Sequence, residues 1–151
     1  MQIKNYDKEY KKEVENIFKL YWTDKEFLQE LSDNLESKTC NFYIVEDNNE
    51  VEGVAGIRKV DNFLKEYAST TSPVELYIIA SKNKNKGTGS ALLNHVIEES
   101  KKMNYTEMIC YSPETHDSSW RFYEKAGFIQ HGIVNDPDDG YPGMILRRSL
   151  V

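Results

Sequence analysis

The run Val74-Glu75-Leu76-Tyr77-Ile78-Ile79-Ala80 constrains the fold more than any other stretch of this chain. A strand with one wet face alternates apolar and polar residues, whereas this run is apolar almost throughout. A strand of that kind needs cover on both faces, and so belongs at the centre of a sheet with helices on either side. Its C-terminal neighbours sharpen the reading. Ser81-Lys82-Asn83-Lys84-Asn85-Lys86-Gly87-Thr88-Gly89 is a polar, glycine-containing connection. After it Leu92, Leu93, Val96 and Ile97 recur at helical spacing, with Glu98, Glu99, Lys101 and Lys102 left for water.

The rest of the chain supplies the layers. Ile3–Tyr6 reads as a short first strand, and Tyr10, Val14, Ile17, Phe18 and Tyr21 mark a helix. Thr23 is placed to cap a second helix, with Glu26 completing a capping box and Phe27, Leu28 and Leu31 forming the apolar stripe. Phe42–Val45 and Val51–Val60 form a hairpin across Asp47-Asn48-Asn49-Glu50, although Gly53 and Gly56 argue against a regular second strand. Met108–Tyr111 is a further strand, and a short helix over Ser118–Lys125 stops at Gly127. Phe128–Val134 and Met144–Leu150 close the chain as an antiparallel pair around the acidic loop Asp136-Pro137-Asp138-Asp139-Gly140. The predicted order is strand, two helices, three strands, helix, strand, helix, two strands, a mixed α/β fold with one central sheet. No linker or internal repeat interrupts it, and 151 residues suit one domain over 1–151.

Composition narrows the functions. With 19 basic and 25 acidic residues the net charge is −6, which disfavours nucleic acid and anionic membranes and weakly favours a cationic partner. Two cysteines, Cys40 and Cys110, make neither a disulfide framework nor a four-Cys zinc site and read as buried thiols. His95 and His131 have no metal-ligand spacing, so no metal is expected. The first residues lack the apolar stretch of a signal peptide, and no run nears the roughly 20 apolar residues of a membrane span. A cytoplasmic protein is expected.

Lys82, Lys84 and Lys86 place three positive charges in five residues of an acidic chain, just before Gly87, Gly89 and a helix start. A helix start offers N–H groups without intrahelical partners plus about half a positive charge, and glycines let an oxygen come close. The expected ligand carries phosphates. The Walker pattern is absent because the lysine precedes the glycine, and the dinucleotide pattern is broken by Leu92 at its third glycine. The plainer reading is a glycine turn with a solvated lysine face.

Ser118-Ser119-Trp120-Arg121-Phe122-Tyr123-Glu124-Lys125-Ala126-Gly127-Phe128 lies about thirty residues downstream, beyond another strand. Together the two segments resemble motifs A and B of the GNAT superfamily of acetyl-CoA-dependent N-acetyltransferases. Motif A, Q/R-x-x-G-x-G/A, falls on Lys84-Asn85-Lys86-Gly87-Thr88-Gly89, and the F-Y-x-K-x-G-F of motif B matches Phe122–Phe128 at every fixed position. Lys84 replaces the usual Gln or Arg, and His116 stands where the family often has Asn. The resemblance implies a GNAT-like, mostly antiparallel central sheet flanked by helices on both faces. It implies acetyl-CoA as acetyl donor, with coenzyme contacts at Ile78, Ile79, Lys84, Asn85, Lys86, Gly87, Thr88, Gly89, Ser90, His116 and Ser119. For His116 the plainer alternative is a solvent-facing residue at a helix entry capped by Asp117.

It also implies direct attack by a primary amine, from a small molecule or a peptide, in a ternary complex. An alkylamine with a pKa about 10.4 must first lose a proton. Glu75, near the start of the central strand where many members place a base, is the candidate, alone or through a water chain; an ion-paired structural carboxylate is the alternative. A backbone N–H near Ile79 would stabilise the carbonyl oxygen. Tyr123, with an ordinary pKa about 10, is the candidate acid for the departing thiolate. Residues 122 and 123 cannot share a helix face, so one ring should leave the core; the alternative is a core aromatic. The first two helices and the loops at 62–72 and 136–141 would shape the acceptor pocket. A non-catalytic acyl-CoA-binding or sensor module would keep the same loop, and a strand edge could make a homodimer.

Overall fold

The computed structural model describes residues 1–84 and 86–151. Its strands are β1 (Gln2–Asn5), β2 (Cys40–Asp47), β3 (Glu50–Lys59), β4 (Pro73–Ser81), β5 (Glu107–Pro113), β6 (Ile129–Asn135) and β7 (Pro142–Ser149). Its α-helices are α1 (Lys11–Tyr21), α2 (Lys25–Leu35), α3 (Thr88–Lys102) and α4 (Ser118–Lys125). The element order is the one the apolar periodicities predict. The strands form one seven-stranded sheet in the order β1-β2-β3-β4-β5-β7-β6. β4 and β5 run parallel, while β1/β2, β2/β3, β5/β7 and β6/β7 are antiparallel. The fold is mixed α/β with a mostly antiparallel sheet, as expected.

Among the described residues three short 3-10 helices, Lys8–Tyr10, Phe63–Tyr67 and Glu114–His116, add to the predicted order. A single turn carries no periodicity to read. The cap of α2 also differs from expectation. Asp24, not Thr23, occupies the cap position, and its carboxylate accepts from the Glu26 N–H at 3.0 Å. Either residue has the oxygen for this role; extended backbone at Asp24 decides it.

The chain packs as two compact units, Met1–Arg58 with Tyr77–Val96, and Lys59–Leu76 with Ile97–Val151. In the first, Val14, Ile17 and Phe18 of α1 and Leu31 and Leu35 of α2 join Phe42 and Ile44 of β2 in one buried cluster. Successive side chains of a strand point to opposite faces. Tyr43, between those two residues, accordingly meets His95 of α3 on the other face, ring centroids 5.0 Å apart. Cover on both faces is thus seen within this unit. The hairpin between β2 and β3 turns at Asn48 and Asn49, both at positive φ (53° and 64°), the twist that a tight hairpin turn requires.

Gly53 and Gly56 do not disrupt β3: its ladder with β2 is continuous from Arg58 to Gly53, and the register shifts only beyond that, between Val45 and Glu46. The glycines serve close packing instead. A Cβ on Gly53 would stand 2.7 Å from Cγ2 of Thr88 and 2.9 Å from Cδ1 of Leu92. The first turn of α3 is therefore seated directly on β3.

In the second unit Val60, Leu64, Ile109 and Ile145 form a small core, with Phe63, Tyr67 and Tyr111 packed against it. Glu107, buried at the start of β5, accepts from the Ser69 N–H at 2.9 Å and the Ser69 hydroxyl at 2.6 Å. A buried carboxylate so bonded fixes the chain that leads into β4. Among the described residues no helix is long and apolar enough to cross a membrane. Cys40 and Cys110 are buried free thiols, as read from the sequence.

Gly53→Ala tests the seating of α3. Overpacking of this kind costs about 1–3 kcal/mol, so the urea midpoint should fall. A midpoint that rises, as Gly→Ala in an uncrowded strand would allow, would show that the Thr88 contact is loose.

Candidate active site

The first unit carries the glycine loop. β4 ends at Ser81, and the next two residues are tied to β3. The Lys82 N–H donates to the Glu52 carbonyl at 2.7 Å, and the Asn83 amide donates to the Glu52 carboxylate at 3.2 Å. Lys82 Nζ lies 3.4 Å from Glu50, an exposed pair of small energetic weight. Tyr21, at the last turn of α1, donates its hydroxyl to the Ser81 carbonyl. The Lys84 ammonium lies 6.0 Å from the centroid of the same Tyr21 ring. Tyr21 thus anchors the end of β4 where the loop begins. The sequence could not show this, because the tyrosine sits on a helical stripe indistinguishable from core.

Gly87 has a φ of 78°, the left-handed region that a side chain resists. Its carbonyl accepts from the Ala91 N–H at 3.0 Å, which starts α3. The N–H groups of Thr88, Gly89 and Ser90 therefore have no carbonyl of their own helix to bond. Thr88 is buried, while Lys84, Lys86, Gly87 and Ser90 are exposed. The first-turn amides present the positive end of a helix, which suits phosphate oxygens. Ile78 is buried and Ile79 half-buried. Asn85 lies outside the described residues.

Nearby on β4, the Tyr77 hydroxyl donates to Glu30 of α2 at 2.7 Å and accepts from Asn34 at 3.0 Å. The Arg58 guanidinium stands 3.8 Å from its ring centroid. Burial first, then the bond to Glu30, pushes the Tyr77 phenol well above the usual tyrosine value. These polar partners join α2 to β4, and no sequence motif announces them.

The second unit carries the acid–base candidates. Glu75 is only 7% exposed and stands opposite Ile109 of β5. Its Oε1 accepts from the Asn62 amide at 3.1 Å. Ile109 and Tyr111 pack with the 3-10 helix Phe63–Tyr67. Cys110, between them, belongs to the opposite face of β5 by strand alternation. Burial chiefly, and then the Glu75 charge, pushes its thiol up.

Tyr123, half-buried on α4, is influenced in turn by Cys110. Burial is the larger cause, and together they hold the phenol protonated far above its ordinary range. The Tyr123 ring lies 5.3 Å from Phe122 and 5.7 Å from Phe128, centroid to centroid. The expected divergence of residues 122 and 123 is therefore incomplete. Their backbone positions differ by about 100° around the helix, yet the rings meet edge to face.

His116 is exposed in the 3-10 helix Glu114–His116, and Ser119 is half-buried in the first turn of α4. Asp117 holds the cap position of α4 without a side-chain cap bond. In the acidic loop, Asp136 accepts from the Asp138 N–H at 2.8 Å and Asp139 from the Tyr141 N–H at 2.9 Å. These carboxylates shape the loop itself. The Tyr111 hydroxyl holds the loop by donating to the Tyr141 carbonyl. Among the described residues no three His, Cys, Asp or Glu side chains gather as a metal site.

Residues 9–128 match the model of the acetyltransferase (GNAT) family. The chain belongs to that family. A GNAT-family protein from Desulfovibrio desulfuricans superposes with a TM-score of 0.81 at 19% identity, covering 99% of each chain. An aminoglycoside 6'-N-acetyltransferase complexed with coenzyme A gives a TM-score of 0.78 at 14% identity, over 100% of this chain and 98% of that one. The ribosomal-protein-S18-alanine N-acetyltransferase from Escherichia coli gives 0.78 at 16%, over 99% and 93%. At these identities the likeness is one of fold.

The raised tyrosines predict alkaline behaviour. In the unfolded chain these phenols ionise near pH 10 (about the free value). In the folded chain Tyr77 and Tyr123 keep their protons beyond that point. Above it the unfolded state binds fewer protons than the folded one, so stability falls as pH rises. Urea unfolding should show a steady decline above pH about 10, and Tyr123→Phe should make that decline shallower. An unchanged slope in Tyr123→Phe would show that the phenol ionises as easily folded as unfolded.

Proposed function

We propose that this chain, acting as one domain over 1–151, is an N-acetyltransferase that moves the acetyl group of acetyl-CoA directly to a primary amine in a ternary complex. The observation that carries the reading is the first turn of α3. Gly87 is in a left-handed conformation, the following amides lack helical partners, and Lys84 and Lys86 lie exposed beside them. Coenzyme A presents a diphosphate, which such a turn accepts. The residues given this role are Lys84, Asn85, Lys86, Gly87, Thr88, Gly89 and Ser90, with the backbone of Ile78 and Ile79 along the coenzyme arm and His116 and Ser119 as further contacts. The coenzyme A complex of one structural neighbour and the amine acceptors named for others support the same class of reaction.

In the reaction the amine's extra proton goes to Glu75, directly or through water. The neutral nitrogen then attacks the thioester carbon. Negative charge gathers on the carbonyl oxygen, where the Ile79 N–H would stabilise it; one such donor is typically worth about 3–4 kcal/mol. As the C–N bond forms and the C–S bond breaks, Tyr123 donates its proton to the thiolate. The acetylated nitrogen then sheds its second proton through water to the Tyr123 phenolate, and Glu75 releases its own to solvent, leaving amide, CoA thiol and one proton overall. A thiol has a pKa of roughly 8.5. Tyr123 is protonated at neutral pH and so has a proton to give as the sulfur leaves. The acceptor is a small-molecule or peptidic amine, favoured by the acidic balance of the chain.

Acetyl-CoA with a panel of glucosamine, spermidine, lysine and an alanine-terminated peptide should release free CoA. Tyr123→Phe should lower kcat by roughly 10²–10⁴ with coenzyme affinity by calorimetry unchanged. Binding of acetyl-CoA without turnover in wild type, matched by an equally inert Tyr123→Phe, would favour an acyl-CoA-binding module. Absence of any CoA binding would remove both readings.

A further inference from the structure

Glu75 accepts a hydrogen bond from a residue whose own orientation is fixed. Asn62 is the cap of the 3-10 helix Phe63–Tyr67, with extended backbone and its Oδ1 accepting from the Leu64 N–H at 3.0 Å. Leu64 is fully buried in the core with Val60, Ile109 and Ile145. An N–H can be met only by an acceptor, so the carbonyl oxygen of Asn62 must face Leu64. Its NH₂ must then face the other way, and it meets Glu75 Oε1 at 3.1 Å. An Asp here would keep the cap but present an acceptor to a carboxylate. A Ser would keep the cap but fall short of Glu75.

We propose that Asn62 is a positioning residue for the reaction, holding the Glu75 carboxylate in the one orientation from which it takes the proton of the acceptor amine. The inference rests on Glu75 being the base. Ile109, the strand partner of Glu75, also packs with Leu64, so the cap, the core and the carboxylate form one connected unit. An ordinary cap needs only an oxygen, and Ser, Asp and Asn satisfy it about equally. The use of Asn, with its added donor, is what a merely structural cap does not require.

The test compares Asn62→Ser, Asn62→Ala and Glu75→Gln in the full chain. Turnover is followed as CoA release with whichever of glucosamine, spermidine, lysine or the alanine-terminated peptide the wild type acetylates fastest. Asn62→Ser keeps the cap, so its urea midpoint should fall only by the lost bond to Glu75 and stay above that of Asn62→Ala. Its kcat should fall roughly ten- to a hundredfold, the scale of one hydrogen bond to a charged group, with KM for acetyl-CoA within about twofold. Asn62→Ala should show the same loss of kcat and also a lower urea midpoint, because it lacks the cap. A crystal structure of Asn62→Ser should show the Glu75 carboxylate turned or spread over two orientations.

Full kcat in Asn62→Ser, or an unmoved Glu75 carboxylate in its crystal structure, overturns the inference. Full activity in Glu75→Gln overturns the choice of base instead. An inert Glu75→Gln beside a fully active Asn62→Ser removes the role of Asn62 alone.

Discussion

The contact between Gly53 and the first turn of α3 sets the geometry on which the proposed coenzyme-binding loop depends. Because β3 has no side chain at that point, Thr88 and Leu92 can lie against its backbone. A helix start is a diffuse source of positive potential unless it is held still. Here it is fixed on one side by Thr88 and Leu92 on β3. On the other, the lead-in is tied by Lys82 and Asn83 to Glu52 and by Tyr21 to Ser81. The left-handed Gly87 then turns the chain so that helix and loop meet at a row of amides. Lysines on a flexible loop would only attract an anion; a fixed row of amides would also give it a place and a direction.

The acid–base half has a different logic. Strand alternation puts Ile109 and Tyr111 toward the 3-10 helix Phe63–Tyr67 and Cys110 toward the other face. Glu75 pairs with Ile109 and is held from the Ile109 side by Asn62. A base that receives a proton from an entering amine and an acid that gives one to a departing sulfur act at opposite ends of the reacting bonds. Burial keeps Tyr123 protonated, while Glu75 accepts a hydrogen bond from the Asn62 amide.

Much of the fold is legible in the sequence because its elements are written locally. The order of strands and helices follows from alternation and helical stripes, and Gly127, at a φ of 94°, stops α4 where its sequence position predicts. The glycine loop and the F-Y-x-K-x-G-F segment are legible as a family pattern. What escapes is relational. Gly53 reads as a weak strand residue until the helix above it is known. Asn62 reads as an ordinary loop residue in the least patterned stretch, because its meaning depends on a carboxylate thirteen positions later. Phe122 and Tyr123 should part by helical geometry, yet flexible χ angles let adjacent rings meet. Thr23 yields the cap to Asp24 on backbone angles that no motif specifies.

The central claim is that amides at the start of α3 hold the coenzyme's diphosphate. The direct measurement is a titration of the ¹⁵N-labelled chain with coenzyme A, following each backbone amide by two-dimensional NMR. The largest downfield shifts should fall on Lys86–Ser90, as expected for N–H groups that gain phosphate oxygens. Removing the diphosphate-bearing nucleotide half, by titrating with pantetheine, should leave those resonances in place. Saturable binding of coenzyme A with the Lys86–Ser90 amides unmoved would contradict the account.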